Sequence, residues 1–216
     1  MILGARRALS HVSGVVRSSD LALTFCGIVT ALTIAMTLSP DGVIADVVSS
    51  TSTNLVNLRT HPIQVLAASV FVVPDLGGLW LVLGMLVTLA YGQAWVGRFA
   101  TVVVAVIGHV GATLFVAVLL MTGIGAHLVP RSVAFADDVG VSYALAALLA
   151  WLTARLPRRW RGWYVLALVV YFMAPALFDF TFDDAGHATA LVLGLSLAAL
   201  SARSARPNVG LSPPPA

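Results

Sequence analysis

Residues 184–202 read DAGHATALVLGLSLAALSA, a run in which no charge follows the opening aspartate and one imidazole, His187, stands near the start. A helix needs about 20 apolar residues to cross the hydrocarbon of a bilayer, with about 17 a usual lower limit, so this stretch reads as a membrane-crossing helix. Gly186, Ala190 and Gly194 recur along it every four residues, a small-residue face that lets another backbone approach closely in lipid. Residues 187, 190, 191 and 194 share one helical face, which sets the imidazole at the edge of that stripe.

Five further runs of the same kind precede it, at residues 21–38, 76–91, 99–121, 139–153 and 163–178. Six such runs predict an all-α polytopic membrane protein built as a six-helix bundle. The shorter runs imply local thinning of the bilayer or helix ends that lie further out. Residues 63–73, between Pro62 and Pro74 and after the polar segment 49–54, are too few to cross and are expected to lie in the interface or re-enter. No internal repeat and no second domain is visible, which argues against a small-solute transporter.

Composition agrees. Of 216 residues, 59% are hydrophobic and only 10% charged, against about 45–50% and about 25% in soluble domains. Mean hydropathy is +0.97, so a soluble globular reading is nearly excluded. The single cysteine, Cys26, rules out an intrachain disulfide framework and a Cys-rich metal site, and it reads as a small buried hydrophobe. A net charge of +3 is too small to argue for nucleic acid.

The arginines orient the chain, because positive charge accumulates on the cytoplasmic side. Arg6, Arg7, Arg17, Arg98, Arg155, Arg158, Arg159, Arg161, Arg203 and Arg206 fall on one side of the six-run arrangement, and only Arg59 and Arg131 on the other. Every aspartate except Asp20 maps to that second side. Both termini are therefore expected in the cytoplasm, with the protein multi-pass in the cell's inner membrane. Residues 1–19 form a cytoplasmic N-terminal segment, 20–202 the membrane domain, and 203–216, with a proline run at 213–215, a disordered cytoplasmic tail. The run at 21–38 is long for a signal-peptide core, which disfavours cleavage after it.

A polar or ionisable side chain within a span is costly unless it faces the bundle interior, so each is a functional candidate. These are His109, Ser142, Tyr143, Tyr171 and His187. Ser142 and His187 each stand roughly three residues into runs that go from outside to inside, about 5 Å below their helix starts. A hydroxyl and an imidazole meet there if the helices touch, and Gly140, Ala144 and Ala147 offer the facing small-residue stripe. The plainer alternatives are a serine bonded to the carbonyl one turn back and a histidine bonded to a neighbouring helix. His109, flanked by Gly108 and Gly111, reads as such a packed histidine. His61 and His127 fall in outer loops without metal-ligand spacing, so no metal or cofactor is expected.

Gly140-Val141-Ser142-Tyr143-Ala144-Leu145 opening one span, with Gly186-His187-Ala188-Thr189-Ala190-Leu191-Val192-Leu193-Gly194-Leu195 opening the last, resembles the rhomboid family of intramembrane serine proteases. That family carries a serine within Gly-x-Ser-Gly on its fourth span and a histidine on its sixth. The resemblance implies Ser142 as nucleophile and His187 as general base and acid, cleaving a membrane-anchored polypeptide near the outer face. Asp137, Asp138, Asp183 and Asp184 flank the site and favour a wet cavity. The implied partners are the lipid bilayer and a membrane-anchored substrate or client.

This sequence departs from the family at Tyr143, where the motif has its second glycine. It departs again at Trp80 and Gly84, where the family places a histidine and an asparagine that help hold the oxyanion. Loss of one such donor typically costs about 10²–10³ in rate. A second alignment matches Tyr143-Ala144-Leu145 to the tyrosine one turn after the family serine. It puts Val139 at the nucleophile position and predicts no catalysis. Two functions therefore stand open: a serine protease working through Ser142 and His187, and a non-catalytic rhomboid-like protein that binds transmembrane segments.

Overall fold

The computed structural model describes residues 19–40 and 42–204, and these residues form helices and no strands. In chain order the helices are α1 (Asp20–Thr37), α2 (Val43–Thr51), α3 (Leu55–Thr60), α4 (Pro62–Ala68), α5 (Leu79–Val96), α6 (Arg98–Gly125), α7 (Val141–Leu152), α8 (Arg158–Met173) and α9 (Phe182–Ser204). Four segments are long and apolar enough to cross a membrane: Asp20–Thr37, Leu76–Val96, Arg98–Gly125 and Phe182–Ser201. They coincide with four of the six runs. The protein is thus an all-helical, multi-pass membrane protein.

The other two runs form shorter helices. At 12 residues α7 is about 18 Å long, well short of the roughly 30 Å of hydrocarbon. Its surroundings explain how so short a helix is tolerated: Tyr143, Ala146, Ala147, Leu148 and Ala150 have no exposed surface, because α5, α6 and α9 wrap it. Protein rather than lipid surrounds α7. The fifth run lies five residues earlier than its hydropathy suggested. α8 begins directly after Pro157 and ends two residues before Pro175, since proline's missing N–H and fixed φ suit helix entries and exits. Its arginines belong to the first turns, where Arg161 donates to the carbonyls of Leu156 and Ala154. α9 runs through Ser204; residues 1–18 and 205–216, including most of the expected tail, lie outside the described residues.

Glycines let the core helices close on α7. A Cβ on Gly108 of α6 would stand 2.1 Å from the Ala147 Cβ, and one on Gly194 of α9 would stand 2.2 Å from the Ala147 carbonyl oxygen. Both approaches are possible only where no side chain intervenes, the packing expected where lipid supplies no hydrophobic drive between helices. Gly140 turns instead toward α6, where a Cβ would meet the His109 ring at 1.9 Å.

The bundle's two ends differ in charge. At one end Arg98 pairs with Asp20 at 2.6 Å, Gln93 also donates to Asp20, Arg155 lies 5.3 Å over the Trp95 ring, and Trp151 Nε1 donates to Ser201 Oγ at 3.0 Å. Asp20, the one acid at this end by sequence, is thereby neutralised. The opposite end holds Asp138, Asp183 and Asp184.

Candidate functional site

The site lies at the acidic end, where α7 begins. Its approach is fixed by a latch between two distant loops. The Asp138 N–H donates to Ser52 Oγ at 2.7 Å, the Thr53 N–H donates to the Asp138 carbonyl at 2.9 Å, and the Thr53 hydroxyl donates to Asp138 Oδ2 at 3.0 Å. Asn57 secures the other side of the latch by donating to the carbonyls of Ser49 and Ser52. Asp138 is buried, and its pKa is pushed up to about 6 by that burial first and by the charge of Asp183 second, against the opposing hydrogen bonds from Thr53 and Tyr143. Two residues on, the Gly140 N–H donates to the Ser69 carbonyl, which ties the start of α7 to the turn after α4.

At the start of α9, Asp184 Oδ2 reaches back to accept from the Thr181 N–H at 2.7 Å, one half of a capping box, and also accepts from the Thr181 hydroxyl at 2.9 Å. The helix therefore begins at Phe182, earlier than the apolar run. Ser142 is the second residue of α7 and His187 the sixth of α9, so they lie about 1.5 Å and about 7.5 Å below their helix starts rather than at equal counts.

α7 and α9 do meet, and the residue that meets His187 is Tyr143. Their rings are 5.1 Å apart and nearly perpendicular. Gly186 makes room for the phenol, since a Cβ there would lie 2.4 Å from its oxygen. Phe172 of α8 packs on the imidazole as well, 5.1 Å between centroids, and Asp183 Oδ2 stands 3.5 Å from His187 Nδ1. His187 Nε2 is buried with no hydrogen-bond partner, so no bond joins it to Ser142, whose residue is partly exposed. The Tyr143 hydroxyl is buried between the carboxylates of Asp138 and Asp183, the acceptors within its reach.

Beside this cluster, α5 and α8 are separated by an open apolar groove of about 840 Å³ lined by Trp80, Gly84, Leu145, Leu149, Tyr164 and Tyr171. Trp80 and Tyr171 meet edge to face across it at 5.7 Å, and Tyr171 in turn stacks edge-on against Phe172, the ring on His187. Gly84 leaves room for the Leu145 side chain, which a Cβ at that position would meet at 3.1 Å, so the wall here is aliphatic and aromatic. His109 is separate from the cluster: its Nε2 lies 3.0 Å from the Leu66 carbonyl and 3.3 Å from Ser69 Oγ, which docks the short α4 segment into the bundle. Among the described residues no group of three or more His, Cys, Asp or Glu side chains is placed to hold a metal ion.

Sequence reasoning did not find Ser52, Thr53 or Ser69; the only signal was the polar segment 49–54. In comparisons with known proteins, the sequence model of the family described as rhomboid-like protein matches residues 14–207. No curated protein and no solved structure matched.

Proposed function

Because the chain belongs to the rhomboid-like protein family, we propose that it is a non-catalytic member that receives a transmembrane segment of another membrane protein in the groove between α5 and α8. One observation carries this reading: His187 Nε2 is buried without a hydroxyl partner while Tyr143 packs on the ring. A serine hydroxyl is a poor nucleophile until an imidazole within hydrogen-bond reach takes its proton. The contact between Tyr143 and His187 supports the alignment in which Tyr143 follows the nucleophile position by one turn, and that position is then Val139, which has no nucleophile. Trp80 and Gly84 supply a smooth apolar wall suited to a helix face rather than paired donors for an oxyanion.

A second reading keeps Ser142 as nucleophile and His187 as general base. The 3.5 Å approach of Asp183 to His187 Nδ1 favours it, since a carboxylate there orients an imidazole with Nε2 free. Labelling of the purified protein by a serine-reactive fluorophosphonate separates the two. The binding reading predicts no labelling above that of Ser142→Ala and His187→Ala. Labelling that needs both residues establishes the protease.

We also propose that the arginine-bearing end faces the cytoplasm and the acidic end the outside of the inner membrane, with six crossings and both termini inside. An impermeant maleimide on intact cells then labels Ser132→Cys and leaves Arg159→Cys untouched until the membrane is opened. The reverse pattern overturns the orientation.

A further inference from the structure

Where the arginines gather, the gap between α5 and α8 ends in a cleft of about 510 Å³, bounded also by the last turn of α7 and the short turn that follows it. Most of its lining is apolar, with Val87, Leu149, Leu152 and Leu156. Two hydroxyls set among them are spent within the protein: Thr88 donates to the Gly84 carbonyl at 2.9 Å and Tyr164 to the Leu149 carbonyl at 3.0 Å. The charged group in the lining is the guanidinium of Arg155, which lies over the Trp95 ring, 5.3 Å from its centre. A ring face steadies a guanidinium and leaves its N–H edge free to donate. Among the described residues the ion pairs are Arg98 with Asp20 and His187 with Asp183, so no carboxylate takes that edge.

The cleft continues the groove, since Leu149 and Tyr164 line both, and Gly84, Val87, Tyr91 and Trp95 follow one another along a single face of α5. From Trp95 back to Gly84 that face is about 16 Å long, close to the hydrocarbon depth of one leaflet, about half of the roughly 30 Å core. Tyr91, Trp160 and Trp163, all more than half exposed, stand at the same end as Trp95. Such a belt of rings marks the level of lipid headgroups. Arg158 and Arg159, exposed at the start of α8, add positive charge there. An amphiphile with a negative head and apolar chains is therefore matched at both ends, whereas a soluble anion gains the guanidinium alone.

We propose that the cleft between Trp95, Arg155 and Tyr164 is a binding site for an anionic phospholipid, with the phosphate on the Arg155 guanidinium and the acyl chains along α5 toward Gly84. The site goes beyond the reading of the groove as a receiver of transmembrane segments and does not depend on it.

The test is native mass spectrometry of the full chain, released from detergent micelles after incubation with equal amounts of phosphatidylglycerol and phosphatidylcholine. Phosphatidylglycerol is expected to be retained about fivefold in preference, the effect of one cation at an anionic headgroup. Arg155→Gln, at an exposed position, is expected to remove that preference. Ala94→Phe, which sets a ring into the cleft from an exposed position, is expected to lower retention of both lipids. Arg158→Gln, at the same end but outside the lining, should change the preference less than about twofold, because salt screens its charge. Equal retention of the two lipids by the wild type overturns the site. So does a preference that survives both Arg155→Gln and Ala94→Phe, which places the lipid elsewhere, or an equal loss from Arg155→Gln and Arg158→Gln, which reduces the effect to general surface charge. Displacement of the lipid by millimolar inorganic phosphate assigns the cleft to a soluble anion and overturns the lipid as its occupant.

Discussion

Substituting Gly194 with alanine adds one methyl group at the tightest contact between α9 and α7. That carbon would lie 2.2 Å from the Ala147 carbonyl oxygen and 2.8 Å from the Ala150 Cβ, both far inside van der Waals contact. Neither neighbour can yield alone: one is backbone, and Ala147 and Ala150 themselves have no exposed surface. Overpacking of this kind costs about 1–3 kcal/mol, offset by up to about 1 kcal/mol from alanine's higher helix propensity. With the full offset, a net loss of up to about 2 kcal/mol follows. Gly27, inside α1, is the matched control, because a Cβ there meets nothing within 4 Å and only the propensity gain remains. Thermal unfolding followed by circular dichroism in dodecylmaltoside compares them, with each kcal/mol worth about 2–4 °C in Tm for a chain of this size. Gly194→Ala is expected to melt below wild type and Gly27→Ala at or above it. Equal Tm values for the two variants would refute close α7–α9 packing as the element that holds the site.

Three further outcomes follow from the acidic end and its opposite. The Asp138 pKa of about 6, raised from an ordinary 3.8, means the folded state holds a proton that the unfolded state releases. Its contribution is fully present below pH 4 and lost as pH rises through 6, about 3 kcal/mol in all; Asp138→Asn should flatten that fall in an unfolding series from pH 4 to 7.5. Thr53→Val removes the hydroxyl bonded to Asp138 and should cost about 1–3 kcal/mol in denaturant unfolding, with Thr60→Val, at an exposed position, as the near-neutral comparison. Asp20→Asn breaks an ion pair whose side chains are more than half exposed, so its melting temperature should stay within a few degrees of wild type and differ least in high salt.

The membrane architecture was legible because crossing a bilayer imposes a length of apolar chain, and that constraint writes itself into local sequence at 21–38, 76–91, 99–121 and 184–202. The start of α8 was not, because Arg158, Arg159 and Arg161 break an apolar run while remaining good helix formers. The meeting of α7 with α9 was legible from Gly186, Ala190, Gly194 and Ala147. Which side chain faces His187 was not: consecutive helical residues point about 100° apart, so choosing between Ser142 and Tyr143 turns on a rotation that spacing alone does not fix. The glycine at 186 carried the needed clue, since its absent side chain is what admits the phenol. The latch of Ser52 and Thr53 onto Asp138 joins loops more than 80 residues apart, through short polar side chains with no periodicity to betray them.

Holding without cutting is tested most directly by placing a photo-crosslinking p-benzoylphenylalanine at Tyr164, in the groove, and irradiating the protein in nanodiscs with a single-span peptide. Mass spectrometry of the adduct and of the free peptide should show the intact peptide joined at Tyr164 far above the level from Ile28, an exposed position on α1, and no fragments after prolonged incubation. Peptide fragments that vanish with Ser142→Ala would contradict the account, as would crosslinking from Tyr164 no greater than from Ile28.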